Sequence, residues 1–235
     1  MSRQSIVRPR LYRGQAAPEK VIYLPWDLPS GVLFAELKKL SPPRRYEMFG
    51  RVFKIGSKMV LYGATSAPLA CLALEPFLLS GTKDIVLLGF CGSLHPGIRV
   101  GDAVSISRAI PDEGSSSRYL PGRRRFLPSD SLRASLEADL QSAGLEFKTG
   151  TIISTDTPYR ETRPWLRRAL ERGARTVDME TSAVLALAEF HGSRAASLQL
   201  VSDELFTGSW RPGFSSPLLV RRARDYFSPF LFSGT

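Results

Sequence analysis

The stretch "DIVLLGF" (84–90) constrains the fold of this chain most. Beyond Asp84 it is apolar without alternation, the pattern of a strand buried on both faces. Such strands belong to parallel sheets covered by helices on each side. Around it, strand-like and helix-like segments alternate. "VIYLP" (21–25) reads as a short buried strand, and "GVLFAELKKL" (31–40) as a helix stopped by Pro42 and Pro43. "RVFKIGSKMVLYGAT" (51–65) reads as a hairpin turning at Gly56–Ser57. "LACLALEPFLLSG" (69–81) reads as a helix closed by Gly81, with a kink or an early end at Pro76.

The same alternation continues downstream. "DAVSISRAI" (102–110), "FKTGTIIST" (147–155) and "AASLQLVSD" (195–203) read as strands. "SDSLRASLEADLQSAG" (129–144) opens on a Ser/Asp cap and carries leucines at 132, 136 and 140. "RPWLRRALERG" (163–173) has Pro in its first turn. Further helices are expected over about 179–191 and 216–227. The segment 111–128, rich in Gly, Ser, Pro and Arg, reads as a long loop. No repeat and no linker interrupts the pattern, which predicts one α/β domain over 21–235 behind a flexible tail, 1–20.

Composition narrows the function classes. Hydrophobic residues make up 43% of the chain, as in a globular protein. No apolar run reaches the roughly 18–20 residues of a membrane span, and "MSRQSIVRPR" is followed by no apolar h-region. A cytoplasmic protein is therefore expected, with no membrane partner. Cys71 and Cys91 lie in apolar segments without metal-ligand spacing, and the only histidines are His95 and His191, so no metal site is expected. The net charge is +10. Its two arginine clusters, "PGRRRF" (121–126) and "VRRARDYF" (220–227), match no zinc finger, RRM signature or bZIP region. They read as a solvated basic surface, and nucleic acid is not expected as a partner.

In an α/β fold, ligands gather where strands end and loops begin. Three segments lie at such places: "GFCGSLHPGIRVGD" (89–102), "VDMETSA" (177–183) and "VSDEL" (201–205). In type, spacing and order they resemble the signatures of the nucleoside phosphorylase superfamily, over roughly residues 21–205. The resemblance implies a three-layer α/β/α fold around a twisted mixed central sheet, and a homo-oligomer, at least a dimer. It also implies cleavage of the N-ribosidic bond of a nucleoside or nucleoside-like metabolite. That chemistry builds positive charge on the sugar and negative charge on the departing base. Glu180 is the candidate for the ribose hydroxyls, Met179 for a soft apolar surface under the sugar, and Asp203 for the general acid on the base. Taken singly, Glu180 also reads as a first-turn acid, Asp203 as a loop cap and Met179 as core. Asp178 reads as structural. Thr157, Tyr159 and Arg160 are the candidate base contacts, with Phe206, and Trp210 behind it, on a covering loop.

The phosphate cradle departs from the family pattern. The nucleophile pocket would be formed by Gly89, Phe90, Cys91 and Gly92, with Arg44 or Arg45 lent across a subunit interface. Yet Trp26 stands where a glycine is expected, Ser30 and Leu87 where arginines are expected, and Phe90 where Ser or Thr is usual. The nominal expectation is phosphorolysis, with inorganic phosphate as co-substrate and no cofactor. The alternatives are a nucleosidase using water and a nucleoside-binding protein with little catalysis.

Overall fold

The computed structural model describes residues 6–7, 17–46 and 50–232. Most of the segment expected as a tail therefore lies outside the described residues, and the first strand, β1 (Lys20–Leu24), begins at its end. Helix α1 (Val32–Leu40) and a two-residue strand β2 (Arg44–Arg45) follow. The hairpin forms as expected: β3 (Arg51–Ile55) and β4 (Lys58–Tyr62) pair antiparallel, and Gly56 takes the left-handed φ of 57° at the turn. Helix α2 (Ala67–Leu79) runs through Pro76 instead of ending there. Strands β5 (Asp84–Ser93) and β6 (Ala103–Asp112) come next. The segment expected as an unbroken loop contains a single helical turn, α3 (Ser116–Tyr119).

The second half holds α4 (Asp130–Ser142), β7 (Lys148–Thr155) and α5 (Arg163–Glu171). Strand β8 (Thr176–Asp178) was not anticipated, and it shortens α6 to Thr181–His191. Strand β9 (Arg194–Glu204), a short β10 (Arg211–Pro212) and α7 (Pro217–Leu231) complete the chain. The expected N-cap on α4 is made, Leu132 N donating to Ser129 Oγ, and α5 is capped in the same way, Trp165 N donating to Thr162 Oγ1.

One mixed sheet runs in the order β10-β9-β6-β7-β8-β5-β1-β4-β3-β2, and β9 additionally pairs with β5. That extra pairing closes β5, β9, β6, β7 and β8 into a ring. The apolar run of β5 is buried on both faces, as its composition requires. Ile85, Leu87 and Cys91 pack with Leu74, Phe77, Val184 and Leu187 of α2 and α6. Val86, Leu88 and Phe90 pack with Leu37, Leu136 and Phe227 of α1, α4 and α7. Helices thus cover both sides of the sheet, giving the three layers. The parallel register of β5 with β9 starts at a bidentate pair, Arg194 to Asp84 at 2.7 and 2.8 Å. Among the described residues no helix is long and apolar enough to cross a membrane.

Candidate active site

Strands β1, β4, β5 and β9 run parallel, so their carboxyl ends share one edge of the sheet. β8 meets the same edge from the other direction, with Val177 opposite Gly92 of β5. Gly92 is in turn registered with Asp203 of β9, just past a bulge at Cys91. Asp203 and the loop carrying Met179 and Glu180 therefore reach this edge from the two sides of β5. A Cβ at Gly92 would stand 2.6 Å from Leu205 Cδ1 and 3.2 Å from Asp203 Oδ2, so a side chain there would push on both.

The two acids at the start of α6 divide their work. Asp178 serves as the helix's own anchor: it accepts from Thr181 N at 2.9 Å, Thr181 Oγ1 at 2.5 Å and Ser154 Oγ at 2.6 Å. Glu180 stands at the N-cap of α6 but makes no cap bond to it. Its Oε1 accepts from Ser66 N, 2.5 Å away on the loop between β4 and α2. That loop is strained: Ala64 and Ser66 sit at φ of 64° and 94° without being glycine. It is tied down by Tyr23 Oη donating to Ala64 O and Thr65 Oγ1 donating to Pro25 O. Burial pushes both carboxyls up, and the charge of Asp178 pushes Glu180 further. Three donors favour ionised Asp178, which leaves the proton on Glu180.

Asp203 has both oxygens occupied. Ser202 Oγ donates to Oδ1 at 2.7 Å and Trp210 Nε1 donates to Oδ2 at 2.8 Å. Burial nevertheless raises its pKa, against those two bonds. A cavity of about 70 Å³ lies beside it, lined by Glu161, Trp165, Leu205 and Trp210 among others. Burial, and then the charge of Asp203, push the Glu161 carboxyl up to about 7.

The remaining candidates separate. Thr157, Tyr159 and Arg160 occupy an exposed turn, with Tyr159 fully exposed. The neighbouring Glu161, which sequence reasoning passed over, is the residue turned toward Asp203. Phe206 lies under the Arg99 guanidinium at 5.1 Å, and Arg99 is itself paired with Glu204. Gly89 serves packing: a Cβ there would stand 2.5 Å from Gln199 Oε1. Cys91 is buried and its thiol is pushed well up, mainly by that burial. Arg45 lies on β2 at the far edge of the sheet, so within one chain it does not join these residues.

Where the family pattern would hold phosphate, aromatic rings meet. Trp26 packs on Phe90 at 5.0 Å and on Phe214 at 5.6 Å, and Phe214 reaches Trp210 at 6.0 Å. The next residue, Asp27, is a buried acid accepting from Leu28 N and Phe34 N, both at 2.8 Å. Phe214 gave no signal in the sequence, since only packing of the covering loop brings it back to Trp26.

A ten-stranded mixed sheet between helices, with an acidic edge of this kind, defines an α/β enzyme fold of the phosphorylase type. The family model described as Phosphorylase superfamily matches residues 47–222, and the chain belongs to that superfamily. Among its relatives is a purine nucleoside phosphorylase DeoD-type of Bacillus cereus (strain ZK / E33L). It is 30% identical over 131 residues, 54% of this chain and 55% of the relative; the same figures hold for that of Bacillus mycoides (strain KBAB4). The chain thus spans about half the length of the curated relatives it matches. Its fold is similar to that of purine nucleoside phosphorylase from Toxoplasma gondii in complex with immucillin-H. The TM-score is 0.81 at 20% identity, covering 98% of this chain and 96% of that one. The AMP nucleosidase from Bacteroides thetaiotaomicron VPI-5482 gives 0.73 at 20% identity, over 90% and 86%. At these identities the likeness establishes the fold.

Proposed function

We propose that the protein cleaves the N-ribosidic bond of a purine-type nucleoside, with water as the acceptor. Glu180 takes the sugar hydroxyls, Met179 lies under the ring, and Asp203 protonates the departing base. The observation that carries the cleavage reading is the environment of Asp203. It is largely desolvated, which raises its pKa, and Ser202 and Trp210 fix its orientation. As the base leaves, the Asp203 proton passes to a ring nitrogen. Glu180 hydrogen-bonds the sugar while positive charge develops on it.

The choice of water over phosphate rests on the cluster of Trp26, Phe90 and Phe214 beside buried Asp27. A phosphate dianion needs cationic or N–H donors. Apolar rings and a carboxylate there would leave it unpaired, at a cost of several kcal/mol. On this ground we favour the hydrolytic alternative over the nominal phosphorolytic one. A homo-oligomer accommodates the exposed base-side turn and the exposed arginines of edge strand β2, which a neighbouring copy would meet.

The test incubates the protein with a panel of purine and pyrimidine nucleosides, with and without inorganic phosphate. Free ribose at a phosphate-independent rate is expected. Ribose 1-phosphate as product would refute the hydrolytic reading. Nucleoside binding with neither product would show a binding protein instead. Sedimentation in the same buffer is expected to show at least a dimer.

A further inference from the structure

The arginine cluster "PGRRRF" (121–126), which the proposed activity does not use, is folded into a specific arrangement. Phe126 is the pivot: it is buried, and its backbone exchanges hydrogen bonds with Ala109 of β6 at 2.8 and 2.9 Å. Burial of this ring, with the two backbone bonds, ties the segment to the sheet. The three consecutive arginines then part. Arg123 pairs with Glu189 of α6 at 2.6 Å. Arg124 and Arg125 line a cleft of about 480 Å³ together with Arg108 and Ile110 of β6 and Arg172 at the end of α5.

No acid lines this cleft. Its nearest counter-charge is Asp112, 3.6 Å from Arg172. Among the described residues neither Arg124 nor Arg125 has an ion-pair partner. The other two guanidiniums are held in place. Arg108 Nε donates to Thr151 Oγ1 at 3.2 Å, and Arg172 donates to Pro111 O at 3.1 Å. Gly173 lets Arg108 approach, since a Cβ there would stand 2.9 Å from its guanidinium. Two anchored and two ion-pair-free guanidiniums around Ile110 thus concentrate positive charge in one concavity, which an anion would neutralise.

We propose that this cleft binds a small ligand carrying adjacent phosphate groups, at a site that shares no residue with Glu180 and Asp203. Guanidinium forks match phosphate oxygens two at a time, and several in one concave site concentrate the field. The volume is that of a small-molecule site. Nucleic acid fits less well, because the second basic stretch is already engaged: Arg224 faces Glu36 at 3.7 Å and Arg222 stacks on Tyr226 at 5.6 Å. Among the described residues that leaves Arg221 of this stretch, short of the basic stripe a nucleic-acid backbone follows.

The test is calorimetric titration of the full chain with tripolyphosphate and with ATP, with thermal unfolding alongside. Saturable binding is expected, weakening as salt is raised and raising Tm. R124Q/R125Q should weaken it at least tenfold, while R51Q/R221Q, which removes the same charge elsewhere, should leave it within twofold. ATP tighter than tripolyphosphate would mark a nucleotide as the source of the phosphates; equal affinities would mark the phosphate chain alone. Without ligand, R124Q/R125Q should unfold no earlier than the parent, since it removes repulsion. Should it fold poorly, Arg108→Gln reads the same loss from the opposite wall. Absence of saturable binding, or equal losses in both double variants, would overturn the proposal. Single-stranded RNA that binds more tightly with length and displaces tripolyphosphate would overturn it in favour of nucleic acid.

Discussion

Glu161 offers a sharp test of the electrostatics beside Asp203. Its carboxyl moves from an ordinary value of 4.5 to about 7, through burial first and the charge of Asp203 second. The folded protein therefore keeps a proton on Glu161 over a pH range in which the unfolded chain has lost it. Stability from this group is fully present below pH 4.5 and is lost as pH rises through 7. At about 1.36 kcal/mol per pH unit the full loss is at most ~3.4 kcal/mol. Because the side chain is partly exposed, solvent screening reduces this to about 2 kcal/mol. Glu161→Gln keeps the shape and cannot ionise. Relative to the parent, the variant should gain about 2 kcal/mol between pH 4.5 and pH 8, read as roughly 4–8 °C in Tm by thermal unfolding at both pH values. Other buried acids contribute to both proteins, so the difference between the two curves isolates Glu161. Parallel curves across that interval would show that Glu161 titrates normally and that its carboxyl does not sense Asp203.

Three further outcomes follow from the site. Asp203→Asn should slow nucleoside cleavage by roughly 100-fold or more while leaving nucleoside affinity within a few fold, measured by steady-state turnover and calorimetry. Glu180→Gln should raise KM and lower kcat together, because one carboxyl serves sugar contacts that tighten as charge develops; an unchanged KM would remove Glu180 from the sugar. Trp210→Phe deletes a donor that lowers the Asp203 pKa, so the descending alkaline limb of the pH–rate profile should move to higher pH. A limb that stays in place would show that Trp210 does not set the acid.

The layer architecture was legible because a strand buried on both faces leaves a short, near-continuous apolar run, as in "DIVLLGF", set among alternating helix and strand patterns. The hairpin was legible from Gly56. β8 was not, since three residues, Thr176–Asp178, carry no period. Its strand character comes from Ser93 and Ile153 on either side, which are distant in sequence. At the site, motif order singled out Glu180 and Asp203, but the division of labour with Asp178 depended on which carboxylate met the Thr181 N–H. Glu161 was invisible for a related reason. It follows an exposed turn, and its environment is supplied by Leu205 and Trp210 from a separate loop. The tyrosine two positions earlier gave the stronger chemical signal and faces solvent.

The closed ring of strands has a consequence for synthesis. β9 covers β5 along Asp84–Ser93, yet it is made some hundred residues later, ending at Glu204. At about 5–20 residues per second, one edge of the most apolar strand stays open for roughly 6–22 s during translation. Among the described residues nothing nearer in the chain pairs with that edge, for β1 and β8 meet β5 from its other side, at Asp84–Leu87 and at Gly92 and Ser93. An uncovered apolar strand is a template for pairing with another chain. A fragment ending before Arg194 would carry that edge permanently, so the nascent protein depends on a late strand to make its most apolar strand safe.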